Sequence, residues 1–180
     1  MCGFTASVLG ENPTAALDIP RYVEPVYSLV RRFVKTAVGF LALGLAIGGW
    51  MIARRELAGA APNPYLVSAH THALFVGFVM MLIMGVALWL FPRPAKEDER
   101  YSPLLASASY WVTTVGTAAR VGGELARAGM IVRGAPFWLR LGIVLAAIAQ
   151  GVGIGMFFYT MWSRIRPVGS QAREARGERF

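Results

Sequence analysis

The stretch YLVSAHTHALFVGFVMMLIMGVALWLF, residues 65–91, decides the fold. It holds no acid, lysine or arginine, and its histidines, His70 and His72, are the only two in the chain. A bilayer core of about 30 Å needs roughly 20 mainly apolar residues, and this run exceeds that. Backbone groups in hydrocarbon must be paired within their own segment, so the run is expected to be a transmembrane helix. Three more stretches read the same way: residues 36–53, residues 104–119 continuing past Arg120 toward Ala126, and residues 136–162. The expected fold class is therefore all-α, an integral membrane four-helix bundle over residues 36–162. Residues 1–35 form an N-terminal basic, interfacial flank. Pro13, Pro20 and Pro25 argue against long helix there, and Tyr22, Tyr27 and Phe33 with Arg31, Arg32 and Lys35 suit a membrane surface. Residues 163–180 form a charged C-terminal tail. The opening MCGFTASVLGENP has neither the basic start nor the long apolar core of a signal peptide.

Composition supports this reading. Of 180 residues, 56 % are apolar and 16 % charged, against about 45–50 % and about 25 % in soluble domains. A disordered chain and an ordinary soluble enzyme are excluded. The net charge of +8 would suggest nucleic acid in a soluble domain. Here the cations lie between apolar runs, so no nucleic-acid partner is expected. Twelve of the 18 Lys/Arg fall in the two tails and in the loop carrying Arg93, Lys96 and Arg100. The other six are Arg54, Arg55, Arg120, Arg127, Arg133 and Arg140. The positive-inside rule then puts both termini in the cytoplasm, in an inner (cytoplasmic) membrane, with the histidines near the outer surface. Cys2 is the single cysteine, which rules out an intrachain disulfide and a thiolate cage.

Small residues at four-residue spacing let helix backbones approach in lipid. Gly44 and Gly48 do so on the first helix, Ser109, Thr113 and Thr117 on the third, and Ala147, Gly151 and Gly155 on the fourth. Such ridges suit contacts within one bundle or between protomers. Four helices leave little room for a buried cofactor, which favours a homo-oligomer.

Ionisable side chains inside a span mark function by default. Two helical positions are about 200° apart, so His70 and His72 face opposite sides and do not share one metal within a regular helix. On the face of His70 lie Leu74, Gly77, Met81, Gly85 and Leu88, whose glycines leave a groove for a flat ligand or another helix. The face of His72 carries Val76, Val79, Ile83, Val86 and Leu90, a surface for lipid or a dry helix contact. Geometry therefore makes His70 the better axial ligand. The bland alternative is that both imidazoles bond water or backbone at the helix mouth. Met80, Met81 and Met84 lie two or more turns below and read as packing residues. Arg120 and Glu124 share a face on the third helix, with Arg127 within reach of Glu124; Arg133 and Arg140 flank the start of the fourth. These arginines suit the gripping of carboxylates. The alternatives are an intramembrane Arg–Glu pair and snorkelling anchors. Trp50, Trp89, Trp111, Trp138 and Trp162 fit interfacial belts, and Gln150 fits an interhelical hydrogen bond.

HTHALFVGFVMMLIMGVALWLFPRP, residues 70–94, resembles the second transmembrane helix of the large subunit of haem–copper oxidases and nitric oxide reductases. That helix opens on a histidine, runs apolar through a glycine-small pair and exits at aromatics and proline. The resemblance implies that His70 is an axial ligand of a low-spin haem, with Gly85 on the later glycine and Pro92 on the exit proline. A two-residue shift of register would use His72. With haem b as the expected cofactor, the groove at Gly77 places that glycine beside it, and Arg120 and Arg140 are the cations that suit its propionates, in a protein expected to transfer electrons or bind a diatomic gas. The departures are large. The family's large subunits have about a dozen helices and further histidines for a second haem and a copper, whereas this chain has two histidines. It is not expected to build an oxygen- or nitric-oxide-reducing centre alone; a second histidine ligand must come from another chain or from His72 across an axis, and otherwise the sixth position is Met, water or empty. Two rival readings stand beside this one: copper or zinc held by His70 or His72 of several protomers, and a cofactor-free accessory or assembly subunit of a respiratory complex.

Overall fold

The structure, a computed structural model, describes residues 23–91, 102–129, 134–165 and 176–177, with side chains from Ser28 onward. The first 22 residues, the loop holding Arg93, Lys96 and Arg100, Arg133 and most of the C-terminal tail lie outside the described residues. All regular structure among the described residues is helical. Helix α1 spans Val23–Ala58, α2 Pro64–His72 and α3 Met81–Leu90, with a π-helix, Ala73–Met80, joining α2 to α3 into one rod. Helix α4 spans Pro103–Gly129 and α5 Phe137–Met161, followed by a 3₁₀ turn at Trp162–Arg164.

The described residues therefore fold into four helical rods. Among the described residues, three segments are long and apolar enough to cross a membrane: Ser28–Ala58, Pro64–Leu90 and Phe137–Arg164. The expected third span, α4, has 27 residues, but Arg120, Glu124, Arg127 and its hydroxyl ridge make it more polar than the others. It packs between the second rod and α5, with its hydroxyl and carboxylate groups turned inward: Ser109, Thr113, Thr117 and Glu124 are all buried.

Helix α1 begins well before residue 36, where the sequence reading starts it. Pro25 falls in the first turn, where its missing N–H has no intrahelical partner to lose. Leu29, Phe33, Ala37 and Phe40 then repeat at helical spacing and are buried. Phe33, read from sequence as a surface aromatic, is fully buried and stacks edge-on against Tyr110 (5.0 Å) and Phe157 (6.1 Å). At its far end α1 stops at Gly59, left-handed at φ 57°, a conformation that favours glycine after a helix. The next helix starts immediately. Asn63 caps α2 by accepting from the Tyr65 amide (2.9 Å) ahead of Pro64 at N1, while its amide donates to the Ala128 carbonyl of α4 (3.2 Å).

The core has two parts. At the end where α1 begins, Phe33, Met81, Met84, Tyr110, Phe157 and Met161 join four rods. At the other end, Ile47, Ala69, Ala73 and Val121 join α1, the second rod and α4. Met81 and Met84 are fully buried among apolar neighbours. In lipid, packing rather than the hydrophobic effect holds helices together, and notches of glycine set the approach. Phe40 seats on Gly77, Phe33 on Gly85 and Leu74 on Gly44. A helix, α1, thus fills the groove that the sequence left open to a helix or a flat ligand. The ridge Ala147–Gly151–Gly155 is not used inside the fold: Gly151 and Gly155 have nothing within contact distance. Instead Ala146, Gln150 and Gly153 face α4, because Gln150 turns inward to polar partners on that helix and carries its neighbours outward.

Candidate functional site

The contacts of the second rod with α1 and α4 are antiparallel, which places His70, His72, Arg120 and Glu124 at one level near one end of the molecule. His70 faces α1. Its Nδ1 lies 2.8 Å from the Gly44 carbonyl, and a carbonyl only accepts, so Nδ1 is the donor in this bond, the tautomer that in a neutral ring leaves the lone pair on Nε2. The ring rests on bare backbone: a Cβ on Gly48 would come within 2.7 Å of His70 Cε1. His72 faces α4. Its Nδ1 donates to the Ser68 carbonyl one turn back (2.8 Å) and lies 3.8 Å from Glu124 Oε2. The two imidazoles therefore diverge onto different neighbours, as their 200° separation requires. Among the described residues no three His, Cys, Asp or Glu side chains group to hold a metal ion.

A polar chain runs from His72 into the helix packing. Ser68 Oγ donates to Glu124 Oε1 (2.8 Å), which also accepts from Arg120 Nε (3.2 Å). Arg120 donates from a terminal nitrogen to Gln150 Oε1 (3.2 Å), Gln150 Nε2 donates to Thr117 Oγ1 (3.1 Å), and Thr117 donates to the Thr113 carbonyl (2.7 Å). The side chain of Glu124 is 5 % exposed and that of Arg120 is 24 % exposed. Glu124 Oε2 and Thr113 Oγ1 are buried without a hydrogen-bond partner. The Arg–Glu pair weighed from the sequence is present, and Gln150 makes the interhelical bonds expected of it. Arg127 does not reach Glu124 in this way. Its guanidinium lies over the Tyr65 ring at 4.3 Å, a cation–π contact that ties α2 to α4.

The remaining expected site residues are spread out. Gly77 lies under Phe40 of α1. Arg140 is exposed in the first turn of α5. The seating of Ile143 on Gly123 sets Arg140 level with Ala126, about 9 Å along α4 from Arg120 at 1.5 Å per residue. Sequence reasoning missed Ser68, which bonds the carboxylate and lies 3.3 Å from His72 Nδ1. Its signal was there to read: a serine four residues before His72 shares a helical face with it.

No curated protein and no solved structure matches this chain. A family does: Cytochrome C and Quinol oxidase polypeptide I, over residues 28–173, a stretch that takes in α1 from Ser28 onward, the other three rods and both histidines. On that match, with an all-helical fold and three membrane-length apolar segments, the chain belongs to the family of haem–copper oxidase subunit I.

Proposed function

We propose that the chain is a membrane haem b protein in which His70 supplies one axial ligand, serving electron transfer or diatomic-gas binding without a reducing centre of its own. The observation that carries this reading is the 2.8 Å bond from His70 Nδ1 to the Gly44 carbonyl. It orients the ring, selects the tautomer and makes Nε2 the free donor, which is how a ligating imidazole is usually held by its outer partners. The donor set thus fits one axial position. It does not fit two, because His72 points to α4, so a second imidazole has to come from another copy or another subunit. The notch at Gly77 is taken by Phe40, which leaves that glycine a helix-packing role. Arg120 is held by Glu124 and Gln150, so Arg140, exposed, is the freer cation for a propionate. When bound, haem b supplies a one-electron couple whose potential depends on its second ligand and on burial. The charge count supports both termini in the cytoplasm and the histidines toward the outer face of the inner membrane.

The test is optical. Chain purified from cells supplied with haem is expected to show a Soret band and a b-type α-band. His70→Ala removes them and His72→Ala spares most of the absorbance. Colourless wild-type protein, or bands that survive His70→Ala, overturns the assignment.

One observation favours a second reading. His72 Nδ1 is backed by the Ser68 carbonyl and lies near the Glu124 carboxylate, a carboxylate–histidine arrangement that suits copper or zinc held by several copies. Elemental analysis of the purified assembly separates the two.

A further inference from the structure

We propose that Arg31, Arg32 and Lys35 of α1 form a binding site for the phosphate headgroups of anionic phospholipids, at the end of the molecule away from the histidines. All three side chains are exposed. They stand on a rigid support, because Leu29, Phe33 and Ala37 on the other side of the same turns are buried in the four-rod core. The only acids whose side chains are described, Glu56 and Glu124, belong to the opposite end, where they pair with Arg55 and Arg120. The cations are therefore concentrated and uncompensated among the described residues.

Depth supplies the second half of the inference. Residues 36–53 contain no charge, and 18 helical residues span about 27 Å, close to the roughly 30 Å of a hydrocarbon core. With Arg54 closing the run at one end, Lys35 falls at the hydrocarbon boundary at the other. Arg31 and Arg32 lie about 4–6 Å further out, at headgroup depth. The neighbouring rods agree. Phe33 packs on Gly85 and against Phe157. One turn beyond Gly85 stands Trp89, and just beyond Phe157 stands Trp162, both exposed. Tryptophan at helix ends marks the same interfacial layer. A triad of cations at that depth, on a helix already ordered by its buried face, matches a phosphodiester charge in place and sign. Haem does not enter this reasoning, so the site stands or falls independently of the function proposed above.

The full chain, reconstituted in phosphatidylcholine vesicles, is read by quenching of tryptophan emission with an equal minor fraction of brominated phosphatidylglycerol or brominated phosphatidylcholine. Each cation near the surface is worth about fivefold in local anionic-lipid affinity, so the wild type is expected to favour the glycerol lipid by at least that factor and to lose the preference in high salt. The triple variant R31Q/R32Q/K35Q loses it. The charge-keeping R31K/R32K/K35R and the opposite-end R54Q/R55Q keep it, with helical circular dichroism confirming that each variant is folded. Equal quenching by the two lipids in the wild type overturns the site, as does a preference that survives the triple variant. Loss of the preference on adding excess inorganic phosphate at constant ionic strength would reassign the triad to free phosphate and overturn it too.

Discussion

At the scale of single residues, Gly48 and Glu124 govern the two histidines. Gly48 leaves the space in which the His70 ring lies, since a Cβ there would stand 2.7 Å from Cε1. Gly48→Ala is therefore expected to push the ring off Gly44 and lower haem occupancy severalfold, read from the Soret absorbance per chain. Gly49→Ala, one residue along and with nothing within contact distance, is the matched control and is expected to leave occupancy unchanged. Glu124 is different, because it is buried and its Oε1 accepts from Arg120. Removing one partner of a buried ion pair costs about 3–5 kcal/mol, whereas replacing both by apolar residues is often neutral. Arg120→Met is expected to destabilise by about that amount, and Arg120→Met with Glu124→Met to recover most of the loss, measured by unfolding in a denaturing detergent titration. The pair and its helical spacing were legible in the sequence. The link to His72 through Ser68 was not, because it depends on which face of α2 meets α4.

At the scale of elements, the second rod is the most informative. Its sequence reads as one uninterrupted helix, yet a π-helix runs from Ala73 to Met80 directly after the histidines. Apolar periodicity does not distinguish the two windings over so short a length, and π segments in long helices often accompany functional sites. The far end of the rod is closed by a residue that sequence assigned to a charged tail. Arg164 is buried and donates to the carbonyls of Leu88, in the last turn of α3, and of Phe91, its C-cap (3.1 and 2.9 Å). Those carbonyls otherwise have no helical partner. Arg164→Ala is expected to cost about 1–3 kcal/mol and to raise hydrogen exchange at residues 88–91 while leaving the histidine end protected.

At the scale of the whole molecule, the two imidazoles serve different neighbours, so under the proposed function one chain offers one ligand to one iron. A bis-imidazole haem then needs a second chain. The expected outcome is one haem per two copies, measured by pyridine haemochrome against amino-acid analysis. Splitting the pair in harsher detergent is expected to convert the ferrous spectrum to a carbon-monoxide-binding form. A ratio of one haem per chain with no gas binding would show that this chain completes both positions. The unused ridge at Ala147, Gly151 and Gly155 leaves α5 a smooth outer surface, which lipid or a second copy could cover.

What the sequence by itself determined is what depends on composition and period. Apolar runs of membrane length dictate helices. The two-residue spacing of the histidines dictates that they diverge. The four-residue spacing of Arg120 and Glu124 dictates that they share a face within reach of each other. Tertiary structure alone decided which neighbour each face meets. It started α1 at Val23 because Leu29 and Phe33 find a core, filled the Gly77–Gly85 groove with phenylalanines of α1, turned Gln150 rather than Gly151 inward, and set His70 against the Gly44 carbonyl. The physical reason is that in lipid the apolar faces of these helices are buried or exposed at similar cost. Rotation about the helix axis is then settled by close packing at glycines and by the pairing of the few polar groups, and both of these depend on the partner helix as much as on the helix itself.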